Sequence, residues 1–118
     1  MQQFKEMVIK YPRVGRMPAL NLQGKWLEEI GFTVGATVSI VYRDSCLTLS
    51  TNTTAPNSSS VLQVTNKIVR KRPRANLILD WWILRKYGFH AGDRVGLYLA
   101  PDIIQITKIN RYTTAKHA

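Results

Sequence analysis

The sequence predicts a mainly β fold built from two tandem repeats, each with one short helix. Residues 18–50 and 75–107 align without a gap when shifted by 57 positions, and such repeats govern how a chain folds. In both stretches apolar residues alternate over strand-length runs, and glycines separate the runs. The identical aligned pairs are Leu20/Leu77, Leu22/Leu79, Leu27/Leu84, Gly31/Gly88, Phe32/Phe89, Gly35/Gly92 and Val38/Val95. Each repeat is near the size below which a lone core rarely suffices, so we expect the two to fold against each other.

The first repeat reads as a strand, a short helix and two further strands. Residues 17–22 alternate as a strand, with a proline tolerated near its start. Residues 25–30 place three apolar side chains on one face of a helix, which ends at a glycine suited to a left-handed cap. Two more alternating runs follow, separated by a turn at residues 43–45. The side chains expected to face the core are Leu20, Leu22, Trp26, Leu27, Ile30, Val38, Ile40, Tyr42, Leu47 and Leu49.

The second repeat replays this order, and its surroundings give the domain boundaries. Residues 61–69 alternate and predict an extra strand ahead of it, whereas residues 1–10 predict a frayed start that leads into a strand. A stretch of small polar residues between the repeats is typical of a flexible linker. The predicted units are a first repeat over 7–50, a linker over 51–60, a diverged second repeat over 61–109 and a basic tail over 110–118.

The chain is strongly basic, and the charge is concentrated in its second half. The formal net charge is +10 over 118 residues. Residues 1–50 carry six basic and four acidic side chains, whereas residues 61–118 carry eleven basic and three acidic ones. A small domain of this charge is expected to bind a polyanion, namely DNA, RNA or an anionic membrane. The alternative is a basic protein whose charge only aids solubility.

Several other function classes are disfavoured. Cys46 is the one cysteine, which excludes an internal disulfide, and its apolar strand context predicts a small core residue. No His, Asp or Glu cluster has the spacing of a metal site, so we expect no metal and no other cofactor. No apolar run approaches the roughly 18 residues of a membrane span, and the short helices make weak membrane anchors. The cytoplasm is the expected location, with nucleoid association if DNA is the partner.

A specific motif lies in the first repeat. Tyr11, Arg13 and Arg16 form a basic lead-in, residues 18–27 read PALNLQGKWL, and the Gly-Phe-x-x-Gly run at residues 31–35 follows. Over residues 11–50 the sequence resembles the SymE family of bacterial toxins, in which a lead-in, a Pro-x-hydrophobic-x-hydrophobic-x-Gly-x-Trp-Leu run and Gly-Phe-x-x-Gly occur in this order. The second repeat resembles a diverged copy, with Ala75, Trp81 and Ile83 in place of Pro18, Gly24 and Trp26.

This resemblance implies both a fold and a function. SymE-like proteins are related to the AbrB superfamily, whose small units interlock as a swapped-hairpin β-barrel, normally across a homodimer. In this chain the two repeats would form the barrel as a monomeric pseudo-dimer, and a further homodimer is the alternative. The resemblance also implies a toxin of a type I toxin–antitoxin system, associated with nucleic-acid binding and with RNA cleavage.

We therefore predict a protein that binds DNA or RNA through a basic face. Equivalent cations of the two repeats would form two clusters, spaced to meet two sets of phosphates on a duplex. Arginine suits this role because its planar fork matches phosphates and guanine edges. A solvated, charged strand edge is the alternative. The predicted binding residues are Lys10, Arg13, Arg16, Lys67, Arg70, Lys71, Arg72, Arg74, Arg85 and Lys86.

An endoribonuclease is the alternative function, and it rests on the resemblance rather than on the residues. Cleavage of RNA without a metal needs a base, an acid and cations near the phosphorus, and only histidine changes charge near neutral pH unaided. The chain offers His90 and His117, neither with an evident partner, and a structural role is the expectation for His90. No catalytic residue is therefore assigned.

Two further readings stay open. Trp81 and Trp82 are expected to pack at the barrel end, whereas an exposed tryptophan beside Arg85 would be able to stack on a base. A protein-interaction module, whose basic surface holds an acidic partner, is the third class of function.

Overall fold

The computed structural model describes residues 3–12, 14–51, 60–69 and 71–109. Most of the predicted linker (52–59) and the predicted tail (110–118) lie outside the described residues. The elements are β1 (Gln3–Val8), β2 (Leu20–Gln23), α1 (Lys25–Glu29), β3 (Thr37–Arg43), β4 (Cys46–Ser50), β5 (Ser60–Gln63), β6 (Thr65–Val69), β7 (Arg72–Leu79), α2 (Trp81–Lys86), β8 (Arg94–Ala100) and β9 (Ile103–Lys108).

The strands form two antiparallel sheets. The larger has six strands in the order β1-β8-β9-β4-β3-β5, and the smaller has three in the order β2-β7-β6. The predicted mainly β class is therefore confirmed, together with the two short helices. In the described part of the chain β1 and β5 end the larger sheet, so this sheet is open, and the swapped-hairpin barrel stays a prediction.

Period-two alternation supplies the core. In β4, Leu47 and Leu49 are fully buried while the residues between and beside them are only half-buried, as expected for a strand with one face against the core. Burying a side chain of this size contributes about 2 kcal/mol. Each helix adds apolar side chains, Leu27 from α1 and both Ile83 and Leu84 from α2. The other strand residues of this core are Leu20, Leu22, Val38, Ile40, Ala75, Leu77, Leu79, Val95, Leu97, Leu99, Ile104 and Ile106.

Three side-chain predictions are wrong. Tyr42 is 40% exposed rather than core-facing, because its ring stacks on Tyr87 near the end of β3. Cys46 is half-buried rather than a core residue, because Leu47 and Leu49 take the inner face of β4 and alternation puts Cys46 on the outer one. Trp81 and Trp82 are both exposed, by 38% and 45%, because Ile83 and Leu84 supply the buried face of α2.

The run at residues 61–69 is two strands rather than one. Val64 separates β5 from β6 and is itself buried, and the two strands belong to different sheets. The first predicted strand is also shorter, since β2 begins at Leu20 rather than at residue 17. Pro18 lacks an amide hydrogen and therefore cannot donate to a ladder.

Four ladders join residues of the first half to residues of the second. β1 pairs with β8, β2 with β7, β4 with β9, and β3 with β5. In the β2–β7 ladder Leu20 faces Leu79 and Leu22 faces Leu77. The larger sheet therefore alternates between the two halves of the chain, and neither half contains a complete sheet of its own.

Upstream of the repeats the 57-position alignment is offset by two residues. Ile9 exchanges two backbone hydrogen bonds with the turn at residues 92–93, and Val64 exchanges two with the turn at residues 35–36. Ile9 and Val64 thus occupy matching positions, although they are 55 positions apart. The residue that matches Lys10 in backbone position is therefore Thr65 rather than Lys67.

Candidate nucleic-acid interface

The predicted cluster of the second half lies on a β-hairpin, which we call the basic ribbon (β6, residues 70–71 and residues 72–75 of β7). β2 pairs with β7 only from Asn76 onward, and the Gly24 amide donates to the Ala75 carbonyl oxygen, so residues 72–74 of β7 pair with β6 alone. Lys71 stands at the turn with φ +65°, a left-handed conformation typical of tight turns. The result is a two-stranded ribbon that extends beyond the three-stranded part of the sheet.

The described cations of the basic ribbon face solvent. Lys71 and Arg72 are exposed, and Arg74 is half-buried, with Nη1 donating to the Pro73 carbonyl oxygen at 3.2 Å. Arg72 and Arg74 are two positions apart in β7, so alternation places them on one face, opposite the face that buries Ala75. Lys67 lies across the ladder from Arg74, in register, and Arg70 lies outside the described residues.

The predicted cluster of the first half is built differently. Lys10 and Arg16 are exposed and belong to no strand, and Arg13 lies outside the described residues. Pro12 and Pro18 interrupt this segment, and a proline can neither donate to a ladder nor leave its neighbour free to adopt other conformations. With the two-residue offset, the position that matches Pro12 holds Lys67, which pairs with Arg74 in the ribbon, and the position aligned with Pro18 holds Ala75, which pairs with Asn66.

Helix α2 presents the remaining predicted cations. Arg85 and Lys86 are exposed in its last turn, where positive charge also favours the helix dipole. The Lys86 ammonium lies 5.5 Å from the centre of the Tyr87 ring. This contact directs one cation toward an aromatic residue at the helix end.

A pocket of about 830 Å³, here called the α2 pocket, opens beside the end of α2. Tyr42 and Tyr87 line one side, with their rings stacked at 4.9 Å between centroids and 25° between planes. The described polar side chains that line it include Asp44, Asp93, Arg94, Thr107 and Lys108. The pocket thus combines an aromatic wall with both cations and carboxylates.

The polar side of the α2 pocket is organised around Asp93. Its Oδ2 accepts a hydrogen bond from the His90 backbone amide at 2.7 Å and lies 3.8 Å from His90 Nδ1. The same oxygen lies 3.5 Å from Lys108 Nζ. His90 therefore has a partner, contrary to the sequence expectation, while its side chain stays 72% exposed. Arg94 forms an ion pair with Glu6, which ties β8 to β1.

Sequence reasoning did not identify Tyr42, Asp93 or Lys108 as site residues. They come together only because β3, the turn before β8, and β9 meet at one end of the molecule. A signal was nevertheless present in the alignment of the repeats, where Asp93 stands opposite Ala36 and Lys108 opposite Thr51.

The described residues contain neither a metal-site cluster nor a helix that could span a membrane. No group of three His, Cys, Asp or Glu side chains there is arranged to hold a metal ion. Neither described helix has the length and apolar character needed to cross a membrane.

Comparisons with known proteins indicate relatives of one kind. Residues 5–51 match the family model described as toxin SymE of type I toxin–antitoxin systems. The chain is 31% identical over 75 residues to the endoribonuclease SymE of Salmonella paratyphi C, a match that covers 60% of this chain and 68% of that protein. It is 31% identical over 74 residues to that of Salmonella choleraesuis, with 59% and 67% covered. It is 32% identical over 65 residues to that of Shigella flexneri serotype 5b, with 55% and 58% covered. No solved structure gives a significant match.

Proposed function

The chain belongs to the SymE family of type I toxins, and from that premise we propose that it is an endoribonuclease that binds RNA through the basic ribbon and α2. The observation that carries the proposal is the match to relatives named endoribonuclease SymE, at 31% identity over 75 residues. Because RNA would be the substrate, we also propose that the protein acts in the cytoplasm.

The charge distribution supports RNA as the polyanion. The exposed cations Lys71 and Arg72 lie at the tip of the basic ribbon, and Arg85 and Lys86 add a second positive group on α2, which follows the other end of β7. Each phosphate that a cation neutralises releases a condensed counterion, so affinity falls with salt. Such contacts hold the nucleic acid without reading its sequence.

Duplex DNA is the second candidate ligand, and the shape of the basic ribbon favours it. A two-stranded β-ribbon fits the major groove of B-DNA, and arginines on one face of β7 would meet phosphates or guanine edges there. A protein partner with an acidic surface is the third, since the same cations would serve it.

We further propose that the two halves are copies of one unit and make a monomeric pseudo-dimer. The ladder registers support this, because exchanging each residue for its partner 57 positions away converts the Leu20–Leu79 pair into the Leu22–Leu77 pair. The same exchange converts the Cys46–Thr107 pair into the Ser50–Ile103 pair. Strands β1 and β5 each add to the other half's hairpin, which agrees with a swapped-hairpin arrangement.

The function is tested by incubating the purified full chain with labelled single-stranded RNA, structured RNA and duplex DNA, with and without EDTA. We expect RNA fragments to accumulate and RNA to bind with a strong salt dependence. Replacing Lys71 and Arg72 together by alanine should lower the slope of log affinity against log salt by about 1.4 on single strands. The charge-matched control replaces Lys25 and Arg43, both exposed in the first half, and should change the slope less.

Three outcomes would count against the proposal. Lack of RNA binding at about 50 mM salt, where phosphate contacts are strong, excludes the binding function. Cleavage that persists unchanged in the ribbon variant, although its RNA binding falls, indicates a contaminating nuclease. Tighter binding to duplex DNA without cleavage of any RNA favours the DNA alternative.

A further inference from the structure

We propose that the α2 pocket binds one unpaired nucleotide of RNA, with the base against Tyr42 and Tyr87 and the phosphate beside Lys108 and Lys86. This inference rests on the proposed function, which it deepens by naming where a single-stranded nucleotide docks. The basic ribbon would bind the phosphate backbone of any RNA, and the pocket would select RNA that has an unpaired nucleotide.

The surroundings of the two helix ends differ. At the end of α1 the turn between β8 and β9 closes over the helix: the Asp102 amide donates to the Ile30 carbonyl oxygen at 2.6 Å. The Asp102 side chain accepts a hydrogen bond from Thr51 Oγ1 at 3.1 Å and lies directly over Gly31. That end of the molecule is filled by the protein itself.

The end of α2 has space in the same position. A Cβ placed on Gly88, the counterpart of Gly31, meets no atom of the described residues within 4 Å. The counterpart of the closing turn is the one that carries Asp44 and Ser45, and both of these residues line the α2 pocket. The pocket volume of about 830 Å³ falls in the range of small-molecule and cofactor sites.

The residues around the two ends diverge in chemistry while the core does not. Phe32 and Phe89 are identical and both buried. By contrast, six aligned pairs in or beside the pocket exchange a neutral residue for an aromatic or ionisable one, whereas Gly88, Phe89 and Gly92 of the lining are identical to their counterparts. These pairs are Ile30/Tyr87, Thr33/His90, Ala36/Asp93, Thr37/Arg94, Thr51/Lys108 and, in the reverse order along the chain, Leu99/Tyr42. Arg94 and Asp93 also serve the local fold, through Glu6 and the His90 amide. Within the described residues, the Tyr42 side chain has no such role beyond its stacking on Tyr87.

The pocket chemistry fits a nucleotide. Unpaired bases stack on aromatic side chains, and Tyr42 keeps 40% of its surface exposed beside Tyr87. The Asp93 carboxylate and the Thr107 hydroxyl can accept hydrogen bonds from the donors on a base edge. Lys108 is 46% exposed beside Asp93 and lines the pocket, and the Lys86 ammonium lies 5.5 Å from the centre of the Tyr87 ring, so each is available to a phosphate next to the aromatic wall.

Single strands are favoured because a paired base cannot enter. In an A-form duplex each base is stacked and paired, and side chains reach mainly phosphates and 2′-hydroxyls. A base must therefore be unpaired to lie against Tyr42. The basic ribbon, in contrast, would bind phosphates of either form.

The test measures the affinity of the full chain for a labelled 12-nucleotide single-stranded RNA and for the corresponding RNA duplex. Tyr42→Leu and Lys108→Thr install the residues of the aligned positions, Leu99 and Thr51. We expect Tyr42→Leu to weaken single-strand binding about tenfold, the size of one lost base stack, and duplex binding by less than about twofold. Lys108→Thr should weaken single-strand binding in the same sense, and Tyr42→Phe, which keeps the ring, should retain it.

Two controls come from the same chain. Tyr98 is exposed to the same 40% as Tyr42 but lies on the outer face of β8 against Phe4, so Tyr98→Leu should leave the single-strand to duplex ratio unchanged. Lys25→Thr removes an exposed cation outside the pocket, as the counterpart of Lys108→Thr. If Tyr42→Leu lowers stability, the result for Lys108→Thr decides whether the pocket binds RNA, because that side chain is 46% exposed and only its ammonium group lies over the Phe89 ring.

The outcomes separate this inference from the proposed function. If the unaltered chain binds no RNA, the proposed function fails and the pocket inference fails with it. If it binds RNA and the ribbon variant weakens that binding, while Tyr42→Leu and Lys108→Thr leave the single-strand to duplex ratio unchanged, only the pocket inference is overturned.

Discussion

Gly31 and Gly88 end the two helices in the same way, yet they meet different surroundings. Their φ angles are +105° and +79°, a left-handed region that residues with a Cβ adopt at a cost. In both cases the backbone amide after the glycine donates to a carbonyl oxygen of the helix. Phe32 donates to Leu27 at 2.8 Å, and Phe89 donates to Leu84 at 2.7 Å. Only Gly31 lies beneath another part of the chain, the Asp102 side chain.

This contrast predicts unequal effects of one substitution. Gly88→Ala should lower the free energy of unfolding by about 1–2 kcal/mol, the cost of a left-handed alanine. Gly31→Ala should cost about 1–3 kcal/mol more, because its methyl group collides with Asp102 and displaces the turn. Urea unfolding of the two variants measures the difference. Equal losses in the free energy of unfolding would mean that the Asp102 turn moves aside at no energetic cost. That result would contradict the closure of the α1 end by Asp102.

The turn between β3 and β4 shows how a hairpin is closed by local backbone geometry. Asp44 and Ser45 both have positive φ, +54° and +63°, as a type I′ turn requires at its two central positions. Aspartate is tolerated there, whereas serine is not a preferred residue at the second position. The ladder pairs Arg43 with Cys46, so the turn between them consists of Asp44 and Ser45 alone.

Ser45→Gly is therefore expected to raise the free energy of unfolding by about 0.5–1 kcal/mol. Thr37→Gly serves as the control, since it places a glycine in the regular part of β3 and should lower stability by about the same amount. Thermal or urea unfolding of both variants tests the pair. A loss of stability in Ser45→Gly would show that the serine side chain contributes more than its backbone strain costs.

Elements governed by short-range pattern could be predicted from the sequence. The helix predicted over residues 25–30 is α1 (Lys25–Glu29), and the alternation around Val38 and Ile40 is β3. β1 was only partly foreseen, because residues 3–8 have no strong pattern of their own and owe their conformation to pairing with β8. The break at Val64 was also hidden, since alternation continues through it while the sheet partner changes.

One part of the candidate site could be predicted from the sequence, and another part could not. The basic cluster could be predicted because Arg70, Lys71, Arg72 and Arg74 fall within five positions. The hairpin of β6 and β7 could not, because Pro73 lies within it and the alternation over residues 61–69 does not identify a partner strand. The α2 pocket could not, because Tyr42 and Lys108 are 66 positions apart and meet only through the packing of β3 and β9. The pairing of His90 with Asp93 was missed although they are three residues apart, because the turn that joins them is set by the hydrogen bonds of Gly92 and Asp93 with Ile9.

At the scale of the whole molecule, the two halves are bound by sheet pairing rather than by surface contact. The hairpin of β8 and β9 lies between β1 and β4, both from the first half, and the hairpin of β3 and β4 lies between β9 and β5, both from the second. The buried leucines of β2 face those of β7 across the smaller sheet. A half in isolation would expose those apolar faces and the unpaired strand edges next to them.

The final prediction concerns a chain cut between the halves. Fragments of residues 1–54 and 55–118 should associate into a one-to-one complex with a cooperative unfolding transition, because each fragment completes the sheets of the other. Sedimentation or light scattering of the mixture gives the stoichiometry. Leu22→Asp in the first fragment should abolish association, since Leu22 is buried opposite Leu77, whereas Asn21→Asp on the exposed face of β2 should not. A first fragment that folds as a stable monomer would contradict the shared sheets. A homodimer of that fragment would instead agree with two equivalent units, because β1 would then add to the hairpin of the other copy as β5 does to β3.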